Sequence, residues 1–172
     1  MTYVSEAIET ALRETAAEAG TYAVGSFRAL REITVLDLAE LPPIPSLFAE
    51  IPRSLEYDPR RTLIFLHEIA RDISRPIAHD DHIHVEYVPT QVVTEYMRTV
   101  QTEDGRQLDG IRYRSARHDD GISIVLFADQ RNFVRPSDAH WEPHAEKWLE
   151  LVSSTLRAVT GHQIENWQQE LT

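Results

Sequence analysis

The chain has 172 residues, which is the length of one domain. Hydrophobic residues make up 42% and charged residues 26% of it, which is typical of a globular protein and excludes a disordered one. The net charge of −11 argues against direct nucleic-acid binding, because neutralising phosphates requires clustered lysine and arginine. The absence of cysteine excludes disulfides, a thiol nucleophile and a thiolate metal site.

The beginning of the chain has neither the basic region nor the apolar core of a signal peptide. No stretch approaches the roughly 18 apolar residues that a membrane-spanning helix requires. We therefore expect a cytoplasmic protein with no membrane partner.

In chain order, the first predicted elements are a short strand and a helix. Tyr3-Val4 is typical of the end of a strand, and Ser5 is a good N-cap for a helix that starts directly after it. Apolar residues then recur at helical spacing, which predicts a helix over residues 6–19. Gly20 is placed to end that helix as its C′ residue.

The residue pattern in the middle of the chain predicts two strands and two further helices. Residues 22–30 and 32–38 are rich in β-branched and aromatic side chains, which favours strands. Residues 60–74 have the broad apolar face of a helix. A further helix is expected to begin at Pro89 and to run to about Val100.

The residue pattern in the last third of the chain predicts a β-hairpin, a helix and a tail. Residues 110–115 and 121–127 read as strands joined by a glycine-containing loop. Residues 142–159 are predicted to be a helix, and residues 161–172 a loose C-terminal tail. Because helices and strands are mixed without strict alternation, the fold class is predicted to be α+β.

A run of histidines provides one candidate site for metal chemistry. His82 and His84 would point to the same side of a strand, and imidazole nitrogens are good zinc ligands. Nothing in the sequence supplies the groups that would orient these ligands, so we expect a solvated polar loop and no metal. A metal-dependent hydrolase that uses His79, His82 and His84 remains an alternative hypothesis.

The serine and glutamate residues do not by themselves identify a catalytic site. Ser26 and Ser115 lack the glycine-flanked elbow that exposes a serine nucleophile. Glu9, Glu14 and Glu18 all lie in the first predicted helix, where most carboxylates are solvated surface charges.

Several segments together resemble the RES domain family, which is named for the Arg, Glu and Ser residues of its motif. In the first segment, Glu14 lies eleven residues after Tyr3, and the run Thr10-Ala11-Leu12 lies between them. In another, Ser115 occupies the position of the family's serine. The segments that carry the resemblance are residues 3–14, 33–38, 87–91, 109–117 and 124–127.

This resemblance implies a fold and an activity. RES proteins have a mixed-sheet α+β fold similar to ADP-ribosyltransferase toxins, with a cleft that takes NAD⁺. They break the bond between nicotinamide and ribose, so NAD⁺ is the substrate and no separate cofactor is implied. Many are toxins held inactive by a helical, DNA-binding Xre-type antitoxin, which is the partner we expect here.

The resemblance also implies roles for three residues. Glu14 would stabilise the positive charge that develops on the ribosyl centre, as carboxylates do in glycoside hydrolysis. Ser115 would hydrogen-bond the nicotinamide ribose or hold the glutamate. Tyr3 would offer an aromatic face to the nicotinamide ring. The predicted catalytic residues are thus Glu14 and Ser115, and NAD⁺ would be bound by Tyr3, Glu14 and Ser115.

The family's motif arginine has no counterpart in this sequence. It belongs to a segment that would precede Met1, and none of Arg13, Arg28 and Arg31 matches its position. We therefore expect an N-terminally truncated RES-like domain over residues 1–160. The alternative is a catalytically inactive RES remnant that acts as a binding module.

Overall fold

The structure is a computed structural model, and it describes residues 1–51, 58–75, 95–100, 102, 105–134 and 146–170. Two β-sheets with flanking helices make up this part of the chain, which confirms the α+β prediction. Residues 95–99 are also helical. In chain order the named elements are β1 (Thr2–Ser5), α1 (Ile8–Thr15), β2 (Gly20–Ala29), β3 (Val35–Asp37), α2 (Arg60–Ile73), β4 (Gly110–Arg114), β5 (Ile122–Leu126), β6 (Phe133–Val134), β7 (Leu149–Val159) and α3 (Gly161–Glu170).

The first sheet, sheet A, has the strand order β1-β5-β4-β3. Strands β4 and β5 form the predicted antiparallel hairpin, and β1 adds antiparallel to the outer side of β5. Strand β3 pairs parallel with β4. The pairing of β1 continues past its end, since the Glu6 N–H donates to the carbonyl of Ile122 at 3.0 Å. Helix α1 therefore begins directly beside the start of β5.

Each face of sheet A packs against a different layer, because successive side chains of a strand point to opposite faces. On one face, Ile111 and Val125 pack with Ile69 of α2 and with Met97. Ile111 has no exposed surface, which places this cluster at the centre of the core.

The opposite face of sheet A packs towards the second sheet, sheet B. Leu126 joins a buried cluster with Trp148 and Leu149, and Val4 and Ile124 pack against it. Sheet B has the strand order β2-β7-β6, with β2 and β7 antiparallel and β6 and β7 parallel.

The prediction of a helix over residues 142–159 is wrong for residues 149–159, whereas residues 142–145 lie outside the described part of the chain. Residues Leu149–Val159 form the strand β7, which pairs with all of β2 from Gly20↔Val159 to Ala29↔Leu149. The apolar residues of this segment also fit a helical period, but Val152, Thr155 and Val159 are β-branched and suit a strand. The partner strand, more than a hundred residues earlier in the chain, decides between the two structures.

Two predicted helix caps are also wrong. Helix α1 spans Ile8–Thr15, and its N-cap is Ala7, which makes no side-chain capping bond. Ser5 instead ends β1, and its Oγ lies 3.2 Å from the Oγ of Ser123 on the paired strand. Gly20 is the first residue of β2 and does not end α1.

The segment predicted to be a loose tail is helical over Gly161–Glu170. A capping box starts this helix: the Thr160 N–H donates to Gln163 Oε1 at 2.9 Å, and the Gln163 N–H donates to Thr160 Oγ1 at 3.3 Å. The helix docks on α1 through Arg13, whose guanidinium pairs with Glu170 and lies 5.3 Å from the ring centre of Trp167. Among the described residues, no helix is long and apolar enough to cross a membrane.

The hairpin tolerates no side chain at Gly110, the first residue of β4. A Cβ atom there would lie 2.4 Å from the backbone oxygen of Val125, so β4 and β5 would have to move apart. We predict that Gly110→Ala lowers the free energy of unfolding by about 1–3 kcal/mol in denaturant titrations. Gly161→Ala is the matched control, because nothing lies within 4 Å of the new Cβ. Equal stability of the two variants would contradict the observed pairing.

Candidate functional site

The candidate site forms where helix α1 meets the loop between β4 and β5. The Ser115 hydroxyl donates to Glu14 Oε1 at 2.5 Å, and the Ala116 N–H donates to the same oxygen at 3.1 Å. Ser115 is buried and Glu14 is half-buried. The structure therefore brings together the two residues predicted to be catalytic, which lie 101 positions apart in the chain.

The loop presents Ser115 through its own hydrogen bonds. The Ser115 N–H donates to the carbonyl of Gly121, and the Gly121 N–H donates to the carbonyl of His118, both at 2.8 Å. The Arg117 N–H donates to Ser115 Oγ at 3.1 Å, so the hydroxyl accepts one bond while it donates another to Glu14. These bonds orient the hydroxyl towards the carboxylate.

A second contact joins the same helix to the same loop. Thr10 lies one helical turn before Glu14 and is fully buried, and its Oγ1 is 2.8 Å from Nδ1 of His118. Sequence reasoning assigned no role to Thr10 or His118. The available signal was the spacing of four residues between Thr10 and Glu14, which places both on one face of a helix.

The described residues around the Glu14 carboxylate provide no positive charge that neutralises it. Glu14 is in the last turn of α1, where the partial negative charge of the helix end disfavours a carboxylate. Within the described part of the chain, no arginine, lysine or histidine pairs with it, and its Oε2 accepts no hydrogen bond. Among the residues that the structure describes, only the dipoles of Ser115 and Ala116 compensate its charge, and none of them occupies Oε2.

Neighbouring carboxylates are arranged differently. Glu9, also on α1, pairs with Arg13 at 2.7 Å, and hydrogen bonding to that guanidinium lowers the pKa of Glu9. Glu6 pairs with Arg112, also at 2.7 Å, and this hydrogen bond raises the pKa of the Arg112 guanidinium. These carboxylates form ion pairs, whereas Glu14 pairs with no cation in the described ranges.

A cleft of about 490 Å³ opens between sheet A, helix α1 and sheet B. Tyr3 lines it and is 59% exposed, whereas Glu14 and Ser115 do not line it. Helix α1 separates the cleft from the Ser115 loop, since Ala11 and Thr15 face the cleft while Thr10 and Glu14 contact the loop. The structure thus joins Glu14 to Ser115 and places Tyr3 on the other side of the same helix.

The metal hypothesis depends on residues that lie outside the described part of the chain, namely His79, His82 and His84. The second histidine cluster, over residues 140–144, also lies outside it. Among the residues that are described, no group of three His, Cys, Asp or Glu side chains is arranged to hold a metal ion.

Comparison with known proteins identifies the family. The RES domain model matches residues 1–146, and the chain therefore belongs to the RES domain family. No curated protein and no solved structure matches the chain. The matched region contains the whole Glu14–Ser115 contact, whereas β7 and α3 lie beyond it.

The contact between Glu14 and Ser115 predicts a coupling in stability. In a double-mutant cycle of Glu14→Ala and Ser115→Ala, we expect a coupling energy of about 0.5–3 kcal/mol, because either substitution removes the same hydrogen bond. The free energies of unfolding are measured by denaturant titration. Glu14→Ala combined with Ser154→Ala, an exposed position on β7, is the control and should be additive. Additivity at 14 and 115 would show that the bond does not form in solution.

Proposed function

We propose that this member of the RES domain family cleaves the bond between nicotinamide and ribose in NAD⁺, with Glu14 as the catalytic carboxylate. The observation that supports it most is the state of that carboxylate: one oxygen is held by Ser115 and Ala116, and no described cation neutralises it. A fixed negative charge of this kind suits a reaction that generates positive charge.

The proposed reaction breaks the C1′–N1 bond, and its electron pair neutralises the pyridinium nitrogen of the departing nicotinamide. The ribosyl centre then carries oxocarbenium character, as in glycoside hydrolysis. A water or phosphate oxygen bonds to C1′ and, in the case of water, releases its proton to solvent. Because nicotinamide leaves as a neutral molecule, the reaction needs no strong general acid.

In this proposal Ser115 acts on Glu14 and not as a nucleophile. Its hydroxyl donates to the carboxylate and accepts from the Arg117 N–H, which fixes Oε1 and leaves Oε2 to face the ribose. Of the two roles that the family resemblance implies for Ser115, the hydrogen bonding supports holding the glutamate.

Tyr3 remains a candidate for binding the nicotinamide ring. It presents an exposed aromatic face on the wall of a cleft whose volume lies within the range of about 300–1,000 Å³ that is common for small-molecule sites. Because Tyr3 and the Glu14–Ser115 pair lie on opposite sides of α1, binding of the ring by Tyr3 stays a prediction that is separate from the role of Glu14.

We further propose that NAD⁺ depletion makes the chain a bacterial toxin that acts in the cytoplasm and is held inactive by an Xre-type antitoxin. This part of the proposal rests on the family alone. The net charge of −11 is compatible with a basic partner surface.

The role of Glu14 predicts a loss of turnover in a conservative variant. Glu14→Gln keeps the size of the side chain and removes its charge, so we expect nicotinamide release from NAD⁺ to fall by at least about 100-fold in kcat/KM. Glu18→Gln is the matched control, because it makes the same change at an exposed position near the end of α1 and should retain the parent rate. Nicotinamide is quantified chromatographically.

The same assay separates the proposal from its alternative. An unchanged rate for Glu14→Gln would overturn the assignment of Glu14. A parent chain that binds NAD⁺ in calorimetry but releases no nicotinamide would be the binding-only RES remnant.

The toxin proposal predicts a phenotype that depends on the carboxylate. Expression of the chain in a bacterial host should lower cellular NAD⁺ and arrest growth, whereas the Glu14→Gln chain should do neither. If an Xre-type antitoxin is the partner, its co-expression should restore growth. Normal growth with a chain that is active in vitro would refute the toxin role without affecting the proposed chemistry.

A further inference from the structure

The loop that holds Glu14 is attached to α1 at a second point, through Thr10 and His118. Thr10 is fully buried although its side chain is polar, and its Oγ1 lies 2.8 Å from His118 Nδ1. A buried hydroxyl without a partner is costly, so this bond is strongly favoured over its absence. Thr10 and Glu14 lie on the same face of α1 and contact one loop at two different residues.

The packing around this second point leaves no free space. A Cβ atom on Gly121 would lie 2.7 Å from Thr10 Cγ2 and 2.8 Å from His118 Cβ. The backbone of the loop therefore lies directly against the Thr10 side chain. Since the Gly121 carbonyl accepts the Ser115 N–H, a displacement of Gly121 is transmitted to Ser115.

We infer that Thr10 is a positioning residue, which fixes the direction of the Glu14 carboxylate through His118 and Gly121. Apart from the strand pairing at the base of the loop, and among the described contacts, Ser115 and Ala116 alone would attach the loop to α1 at one carboxylate oxygen, so that the tip of the loop could tilt. Attachment at Thr10, one turn away, removes that freedom and sets where Oε2 points. The effect of Thr10 on catalysis rests on the proposed function, whereas the contact between Thr10 and His118 does not.

Thr10→Val tests this inference, because valine keeps the shape of threonine and removes the hydroxyl. We expect kcat for nicotinamide release to fall by about 10-fold with KM little changed, since a displaced carboxylate weakens the transition state more than substrate binding. Thr10→Ser keeps the hydroxyl and should restore kcat. Thr155→Val, at an exposed position on β7, is the control for the substitution itself.

A measurement that needs no activity accompanies these rates. Hydrogen exchange of the Ala116 amide reports its bond to Glu14, and we expect exchange about 10-fold faster in Thr10→Val and in Gly121→Ala but not in Thr10→Ser. His118→Ala should have the same effect as Thr10→Val, and the double variant should be no worse than either single one.

The outcomes separate this inference from the proposed function. Unchanged Ala116 exchange in Thr10→Val, or equal losses in Thr10→Val and Thr10→Ser, would overturn the positioning role. If the parent chain releases no nicotinamide while Ala116 exchange responds as expected, the proposed function fails and the positioning of Glu14 by Thr10 stands.

Discussion

The contact between helix α1 and the β4–β5 loop determines the arrangement of everything near Glu14. Strand β1 pairs with β5, and the Glu6 bond to Ile122 extends this pairing to the start of α1. The helix must then cross the loop that precedes β5, and Thr10 and Glu14 are the residues that meet it. The pairing of two short strands thus sets which helical face carries the site. A slip of one residue in the pairing of β1 would move every β1 side chain to the opposite face of sheet A.

Its hydrogen bonds distinguish Glu14 from the acidic residues that form ion pairs. Glu6, Glu9 and Glu150 each pair with an arginine at 2.6–2.7 Å, which stabilises the fold and leaves little capacity for a ligand. Glu14 receives hydrogen bonds from a hydroxyl and an amide, which orient a carboxylate without cancelling its charge. Such a group is poorly suited to stabilising a fold, particularly at the negative end of a helix. It is well suited to a site where a cation forms during a reaction.

The elements that the sequence predicted correctly are those whose residue pattern lies within one short segment. Helix α2 and the hairpin of β4 and β5 follow from periodicity and turn residues. Strand β7 could not be predicted in this way, because its period was ambiguous and its partner β2 is distant in the chain. Helix α3 did carry a local signal, the Thr160–Gln163 capping box, which the polar composition of the segment obscured.

Spacing and family resemblance pointed to Glu14 and Ser115. Their hydrogen bond, and the part played by Thr10, depend on a contact between distant segments that no sequence period encodes.

Residues beyond the family match complete the surroundings of α1. Arg13, the neighbour of Glu14, has a side chain only 9% exposed, and it is enclosed by Glu9 and by Glu170 and Trp167 of α3. Cation–π contacts of this kind contribute about 0.5–2 kcal/mol, which is substantial for a helix of eight residues.

The loop between β4 and β5 packs on one side of α1, and α3 packs on another. Because β7 leads directly into α3 and pairs with β2, which comes after α1 in the chain, sheet B fixes both α3 and the segment that leaves α1. The geometry of Glu14 in this protein therefore depends on residues 149–170 as well as on the matched RES region.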